Sequence, residues 1–226
     1  MRVRYDAGSN TYEVNYTDAW QKLFRYLRGY PGEFLIGGAT VEASSGFGTA
    51  STSDSAVAEW RYQYSSLATW SDGRGQRRGH VVFGTATPPT AVPVTGTATY
   101  SGKVVGTTSA SADGGGWGII ENPTVDGTIA MEVDFGRGRL AGTVSAGVYC
   151  DCASVPEIPR MTFDGQLASG AASLSGRFAT DVAGANSFEG LLAGPAAQEA
   201  IGGWAFPFVS GGKVESASGV WIARKD

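Results

Sequence analysis

The chain has 226 residues, including 34 Gly and 9 Pro, and 17% of it is charged. A helix-interior Gly costs about 1 kcal/mol relative to Ala, so such a Gly content argues against a helical protein, and the absence of a triplet period excludes collagen. An aromatic content of 11% argues against disorder, and a net charge of −4 argues against a nucleic-acid binder, whose surface is ordinarily basic.

What these exclusions leave is a chain of coiled strands joined by many turns, long enough for one large β domain or two small ones. No stretch approaches the roughly 20 apolar residues of a membrane helix. No secretory leader precedes RVRYDAGSN, which leaves either a cytosolic protein or a mature form without its leader.

In chain order, RVRY and TYEVNY flank DAGSN and predict a hairpin. In TDAWQKLFRYLRGYPG, Trp20, Leu23, Phe24 and Leu27 recur at i, i+3, i+4 and i+7. Thr17 or Asp18 is placed to cap and Gly29 to stop, so a helix is expected there, with a strand pair as the rival reading. FLIGGATVEA reads as a strand. AEWRYQYSSLATW is the clearest strand of this half, with Trp60, Tyr62 and Tyr64 alternating against Arg61 and Gln63. A Gly-rich basic loop holding Arg74, Arg77 and Arg78 leads to HVVFGTA. The proline-rich TPPTAVPVTG then reads as a linker or edge crossing, because proline removes ladder donors. The boundary is placed there, with a β-rich domain over residues 1–94 and a second domain over 95–226.

The second half is regular. Eight segments of 7 to 11 residues show a period of two: GTATYSGKVVG, TIAMEVDF, RLAGTVSAG, RMTFDGQLA, AASLSGRFA, NSFEGLLAG, IGGWAFPF and SGVWIAR. Ile129, Met131, Val133 and Phe135 share one face. So do Leu140, Gly142 and Val144, then Met161, Phe163, Gly165 and Leu167, then Ala172, Leu174, Gly176 and Phe178. Evenly spaced hairpins of this kind predict a meander that closes on itself, and the recurring mid-strand Gly fits strong coiling at barrel corners. An eight-stranded barrel is filled by its own side chains or holds one small ligand; the apolar inner face favours filling. The expected fold class is therefore all-β: an N-terminal β domain, then an eight-stranded antiparallel barrel, with at most one or two short helices.

Several of these segments resemble the transferrin-binding protein B family of Gram-negative surface proteins. SLATWSDG followed by HVVFGTATPPTAVPVTGTATYSG is similar to the junction where an aromatic strand leads into the barrel. FEGLLAGPAAQEAIGGWAF resembles the family's GP-x-A-x-E-x-x-GG signature, here Gly194, Pro195, Ala197, Glu199, Gly202, Gly203 and Phe206. DFGRGRLAGTVS and GVWIARKD resemble its middle hairpin and last strand. The resemblance covers roughly residues 57–226. It implies an N-terminal "handle" packed on the barrel and export to the cell surface, often as an outer-membrane lipoprotein anchored through an N-terminal lipid; a periplasmic place is the other expectation. It also implies binding of host iron proteins, haem or complement regulators through variable loops.

The residues of the signature read as architecture. Pro195 fits the first turn of a short helix, Gly202 and Gly203 let the backbone re-enter the sheet, and Glu199 caps backbone amides or pairs with an Arg. No catalytic constellation is legible, and the chain is expected not to be an enzyme. His80 is the only histidine, which excludes multi-His metal sites and constrains Ser-His-Asp chemistry. GRGRLAG sits between strands and reads as a hairpin turn, not a dinucleotide fingerprint.

The sequence assigns no cofactor, with haem as the candidate ligand. His80 and Tyr149 are the two side chains able to ligate it. Cys150 and Cys152 offer too few ligands for structural zinc; strand-like geometry would point them to opposite faces and a bridge between them would close a very tight ring, so the sequence does not establish a disulfide. The functional expectation is a monomeric, non-catalytic envelope protein that binds a host protein, haem or another small solute. The alternative is a structural or adhesive envelope domain without a small ligand.

Overall fold

The structure is a computed structural model. It describes residues 2–6, 11–15, 43–45, 48–51, 62–72, 78–148, 150, 152–168 and 170–226. The chain forms two compact units, Met1–Phe83 and Gly84–Asp226.

In the first unit, β1 (Arg2–Asp6) and β2 (Thr11–Asn15) form the expected antiparallel hairpin, with Val3 opposite Val14 and Tyr5 opposite Tyr12. β3 (Ala43–Ser45), β4 (Gly48–Ser51), β5 (Ser65–Asp72) and β6 (Arg78–Gly84) make a four-stranded sheet in that order. β5 begins at Ser65, so Tyr62 and Tyr64 precede it, contrary to the strand expected over the whole aromatic run. β5 pairs with β4 over its last four residues, with Ser51 opposite Thr69 and Gly48 opposite Asp72, a register that alternation alone does not locate. Arg78 opens β6 and is not part of the loop before it. Trp60, Arg74, Arg77, the expected helix around Trp20 and nearly all of FLIGGATVEA lie outside the described residues.

The second unit contains β7 (Thr97–Thr108), β8 (Ala112–Asp113), β9 (Ile119–Ile120), β10 (Thr124–Asp134), β11 (Arg139–Val148), β12 (Met161–Leu167), β13 (Ser173–Phe178), β14 (Ser187–Ala193), β15 (Glu199–Ser210) and β16 (Lys213–Lys225). β7 and β10 to β16 close into an antiparallel barrel, each hydrogen-bonded to the next and β16 to β7. All eight expected strands are present. β7, β10, β15 and β16 reach 12, 11, 12 and 13 residues, longer than the sequence suggests, because each is paired along most of its length on both sides. The described residues contain no α-helix; single 3-10 turns occur at Pro89–Ala91 and Gly115–Trp117.

The alternation has the predicted polarity. Ile129, Met131, Val133 and Phe135 are buried while Thr128 and Glu132 face out. The interior is packed by side chains. Phe163 stacks on Phe188 at 4.0 Å between centroids, Phe188 on Trp221 at 4.8 Å, and Phe178 leans on Phe206 at 4.9 Å. Tyr100, Val104, Val125, Ile129 and Val144 complete the same core, so the barrel is a solid support and not a container. The proline-rich stretch joins it, with Val92 buried in that core.

Glycine is required where adjacent strands come closest. Gly106 lies opposite Gly219 across the closing seam, and a Cβ on Gly219 would collide with the carbonyl oxygen of Val105. We predict that Gly219→Ala lowers unfolding stability by about 1–3 kcal/mol, the usual range for overpacking. Gly147→Ala, whose Cβ would meet nothing within 4 Å, stays within about 0.5 kcal/mol. Urea titration of both variants checks the contrast.

Candidate functional site

The two ends of the barrel are built differently. At the closed end the connections are short: residues 135–138, 168–172 and 194–198. At the other end, the cap end, lie residues 109–123, 149–160 and 179–186 and the Gly211–Gly212 turn. Long loops on a rigid frame are where recognition surfaces usually lie.

The closed end brings together segments far apart in sequence. Gly194 and Ala197 both have positive φ, 85° and 55°, and the chain between them is a turn. The short helix expected after Pro195 is therefore absent, since a helix needs consecutive right-handed residues and Ala197 is not one. The turn aims the Ala197 carbonyl at the core, where it accepts a hydrogen bond from the Tyr100 hydroxyl at 2.7 Å. The Gly194 carbonyl accepts from Thr87 Oγ1 at 2.8 Å, and the Gly194 amide donates to the Thr85 carbonyl at 2.9 Å. Ala86 bridges Ala193, so the segment before the barrel adds a short rung to β14.

Glu199 is 4% exposed at the start of β15, directly opposite Arg224. Gly202 and Gly203 sit inside β15, so they do not mark its re-entry into the sheet. A Cβ on Gly202 would collide with the Glu189 carbonyl oxygen of β14 and also lie 2.7 Å from the Trp221 indole nitrogen, so the close approach of β14, together with that ring, requires glycine. Within the motif, Gly194 and Ala197 shape the turn and Gly202 and Phe206 serve the packing, whereas a Cβ on Gly203 would meet only the Gly219 carbonyl oxygen at 3.7 Å.

Burial pushes the Tyr100 hydroxyl up from 10.0 to about 12. A raised value means that the stabilisation is complete below about pH 10 and is lost as pH rises through about 12. Tyr100→Phe leaves the Ala197 carbonyl without its donor. We expect a loss of about 1–3 kcal/mol at neutral pH and a shallower decline between pH 10 and 12, measured by denaturant titration across that range.

At the cap end the loops fold over the mouth and extend the core downward through Ala110, Ala112 and Ile158. β8 pairs with β9, placing Asp113 opposite Ile119, and Asp113 also bridges Ser154. The Asp113 amide donates to the Ser154 carbonyl at 2.9 Å, and the Ala153 amide donates to the Asp113 carbonyl at 2.7 Å. This small sheet buries Ala112 and presents Ile119, Asp113 and Ser154 outward. Ser109 ties it to the barrel wall, its hydroxyl donating to Glu215 at 2.6 Å and accepting from the Ser216 amide at 2.9 Å.

The predicted ligand residues do not assemble into one described site. His80 lies half-buried in β6 of the first unit, on the face opposite Val81 and Phe83, and Tyr149 lies outside the described residues. Cys150 and Cys152 are joined as a disulfide with Cα atoms 5.3 Å apart. The strand geometry that argued against the bridge does not apply, because β11 ends at Val148 and Cys150 sits in a bend. Among the described residues, no three His, Cys, Asp or Glu side chains gather into a metal-holding set. The sequence reading missed the pairing of loops 109–123 and 149–160. Backbone bonds between loops leave no sequence signal.

A closed, side-chain-filled meander barrel with its long loops gathered at one end defines the class: a β-barrel lobe built to display loops. Residues 92–225 match the family of C-lobe and N-lobe beta barrels of Tf-binding protein B, which is more than half of the chain, and the chain belongs to that family. Among solved structures it is similar to transferrin-binding protein B from Haemophilus parasuis, in its Trp-176-Ala mutant form (TM-score 0.58, 15% identity, 99% of this chain and 44% of that one). Intact Ap-TbpB, with N and C lobes, gives a TM-score of 0.54 at 17% identity over 99% of this chain and 45% of that one. The isotype 1 protein from serogroup B Neisseria meningitidis gives 0.51 at 16% identity over 89% and 37%. At these identities the likeness is one of fold. The chain spans less than half the length of each. No curated protein matches it in sequence.

Proposed function

We propose that this chain is a non-catalytic binding lobe of a Gram-negative cell-envelope protein, serving iron acquisition by capturing a host iron-carrying protein, haem or another small solute. The observation that carries the reading is its membership, over residues 92–225, in the barrel family of transferrin-binding protein B. The filled interior supports it from the physical side: with no lumen to hold a solute, the cap-end loops are the surface left for recognition. In this reading residues 1–94 act as the handle and 95–226 as the barrel domain. The protein works as a monomer at the cell surface, held to the outer membrane by an N-terminal lipid. The signature residues Gly194, Pro195, Glu199, Gly202 and Gly203 keep the barrel rigid while the loops do the binding.

Immobilised chain probed with iron-loaded host transferrins by biolayer interferometry is expected to bind at micromolar or tighter affinity. Replacing residues 109–123 with a Gly/Ser loop is expected to weaken that binding at least tenfold; because it also removes the buried Ala110 and Ala112, the comparison is made at a temperature where both forms are folded. No response to any transferrin would overturn the host-protein form of the reading. For haem, a Soret shift on titration that disappears in His80→Ala and Tyr149→Phe would support those two residues as ligands, whereas an unchanged spectrum in both variants removes them.

A further inference from the structure

The chain has two cysteines, and both are used in the Cys150–Cys152 bridge. The two residues are only two apart in sequence, so the bridge encloses almost no chain, and the stability that a disulfide adds grows with the length of chain it closes. Neither cysteine belongs to the packed core of the barrel. The fold therefore does not rest on this bridge, unlike the disulfides that staple small domains lacking a sufficient core. Both cysteines are partly exposed, so a dissolved thiol can reach the sulfurs.

What the bridge fixes is the path of the chain as it leaves β11. Directly after it, the Ala153 amide donates to the Asp113 carbonyl at 2.7 Å. The Ser154 amide donates to the same carbonyl at 3.2 Å, and the Asp113 amide returns a bond to the Ser154 carbonyl at 2.9 Å. Asp113 thus joins the segment after β11 to the β8–β9 pair. The junction is an isolated rung outside the named strands. Such a rung holds only while the chain feeding it is already restrained, because ordering free residues costs more than a backbone bond or two returns. The disulfide supplies that restraint immediately beside the rung. Further on, Ile158 is buried in the barrel core, so the segment stays anchored there when the rung opens.

We propose that Cys150–Cys152 is a thiol-exchange site, and that a small-molecule thiol of the glutathione class opens it and so releases Ala153 and Ser154 from Asp113. The incoming thiolate attacks one sulfur of the bridge, the S–S bond breaks, and the other cysteine leaves as a thiolate that takes up the proton the attacking thiol gave to water. A second thiol attacks the mixed disulfide in the same way, frees the first cysteine and departs as the oxidised dimer. Two electrons and two protons pass from the two thiols to the two cysteines, and the oxidised dimer runs the same steps backwards. Opening changes local order at the cap and leaves the barrel intact, a small unfolding unit set on a stable frame. The inference adds a redox response and does not depend on what the loops bind.

The oxidised full chain is equilibrated under native conditions with glutathione and its oxidised dimer at a series of ratios. Mass spectrometry counts free thiols and mixed disulfides, and amide hydrogen exchange reads the backbone. Reversible opening at millimolar glutathione is expected. In the open form the amides of Asp113, Ala153 and Ser154 are expected to lose protection by about tenfold or more, while amides along the β10–β11 pairing and the thermal melt stay unchanged. Cys150→Ser/Cys152→Ser is expected to reproduce the open pattern and to ignore glutathione. A bridge that opens only after denaturant is added, unchanged exchange at those amides once it is open, loss of protection spreading through the barrel, or failure to re-form with the oxidised dimer would each overturn the proposal. Transferrin binding is measured separately, so the functional reading and this one stand or fall independently.

Discussion

Everything else in the barrel depends on the seam between β7 and β16. These strands begin at residues 97 and 213, and their pairing runs from Ala217 opposite Thr108 to Lys225 opposite Tyr100. Closing it removes the two open edges that an eight-stranded meander would otherwise present to other chains. The approach is close enough at Gly106 and Gly219 that a methyl group has no place, so the seam sets the glycine positions as much as the glycines permit the seam. The entropic cost of joining strands so distant in sequence is offset by the core that closure seals.

That core reaches both ends, in different ways. At the closed end Tyr100 passes its hydroxyl to the Ala197 carbonyl, linking the first barrel strand to the turn that the family signature encodes. Two sequence motifs almost a hundred residues apart are halves of one contact. The residues before the barrel are held to the same turn through Thr85 and Thr87, so the Gly194 turn is satisfied from the core side and from the chain side together.

At the cap end the core is covered by loops that pair with each other, and there the constraint relaxes. Ala110, Ala112 and Ile158 are buried, while their neighbours Ser111, Asp113 and Glu157 are exposed. A packed interior of this kind tolerates little change in volume, whereas exposed rim positions are less constrained.

The sequence by itself determined the barrel strands, their number and which face of each is buried, because a period of two in Ile129, Met131, Val133 and Phe135 is a local signal that survives folding. Through its motifs it also determined the family. It did not reveal that Pro195 leads into a turn instead of a helix, since only the Tyr100 bond and the positive φ of Ala197 distinguish the two. It misplaced the start of β5, because aromatic alternation at Tyr62 and Tyr64 does not by itself make a strand ladder. Which residues share an end was decided by tertiary structure alone: Asp113, Ser154 and Val214 share a rim only because antiparallel connections return the chain to the same end on every second crossing.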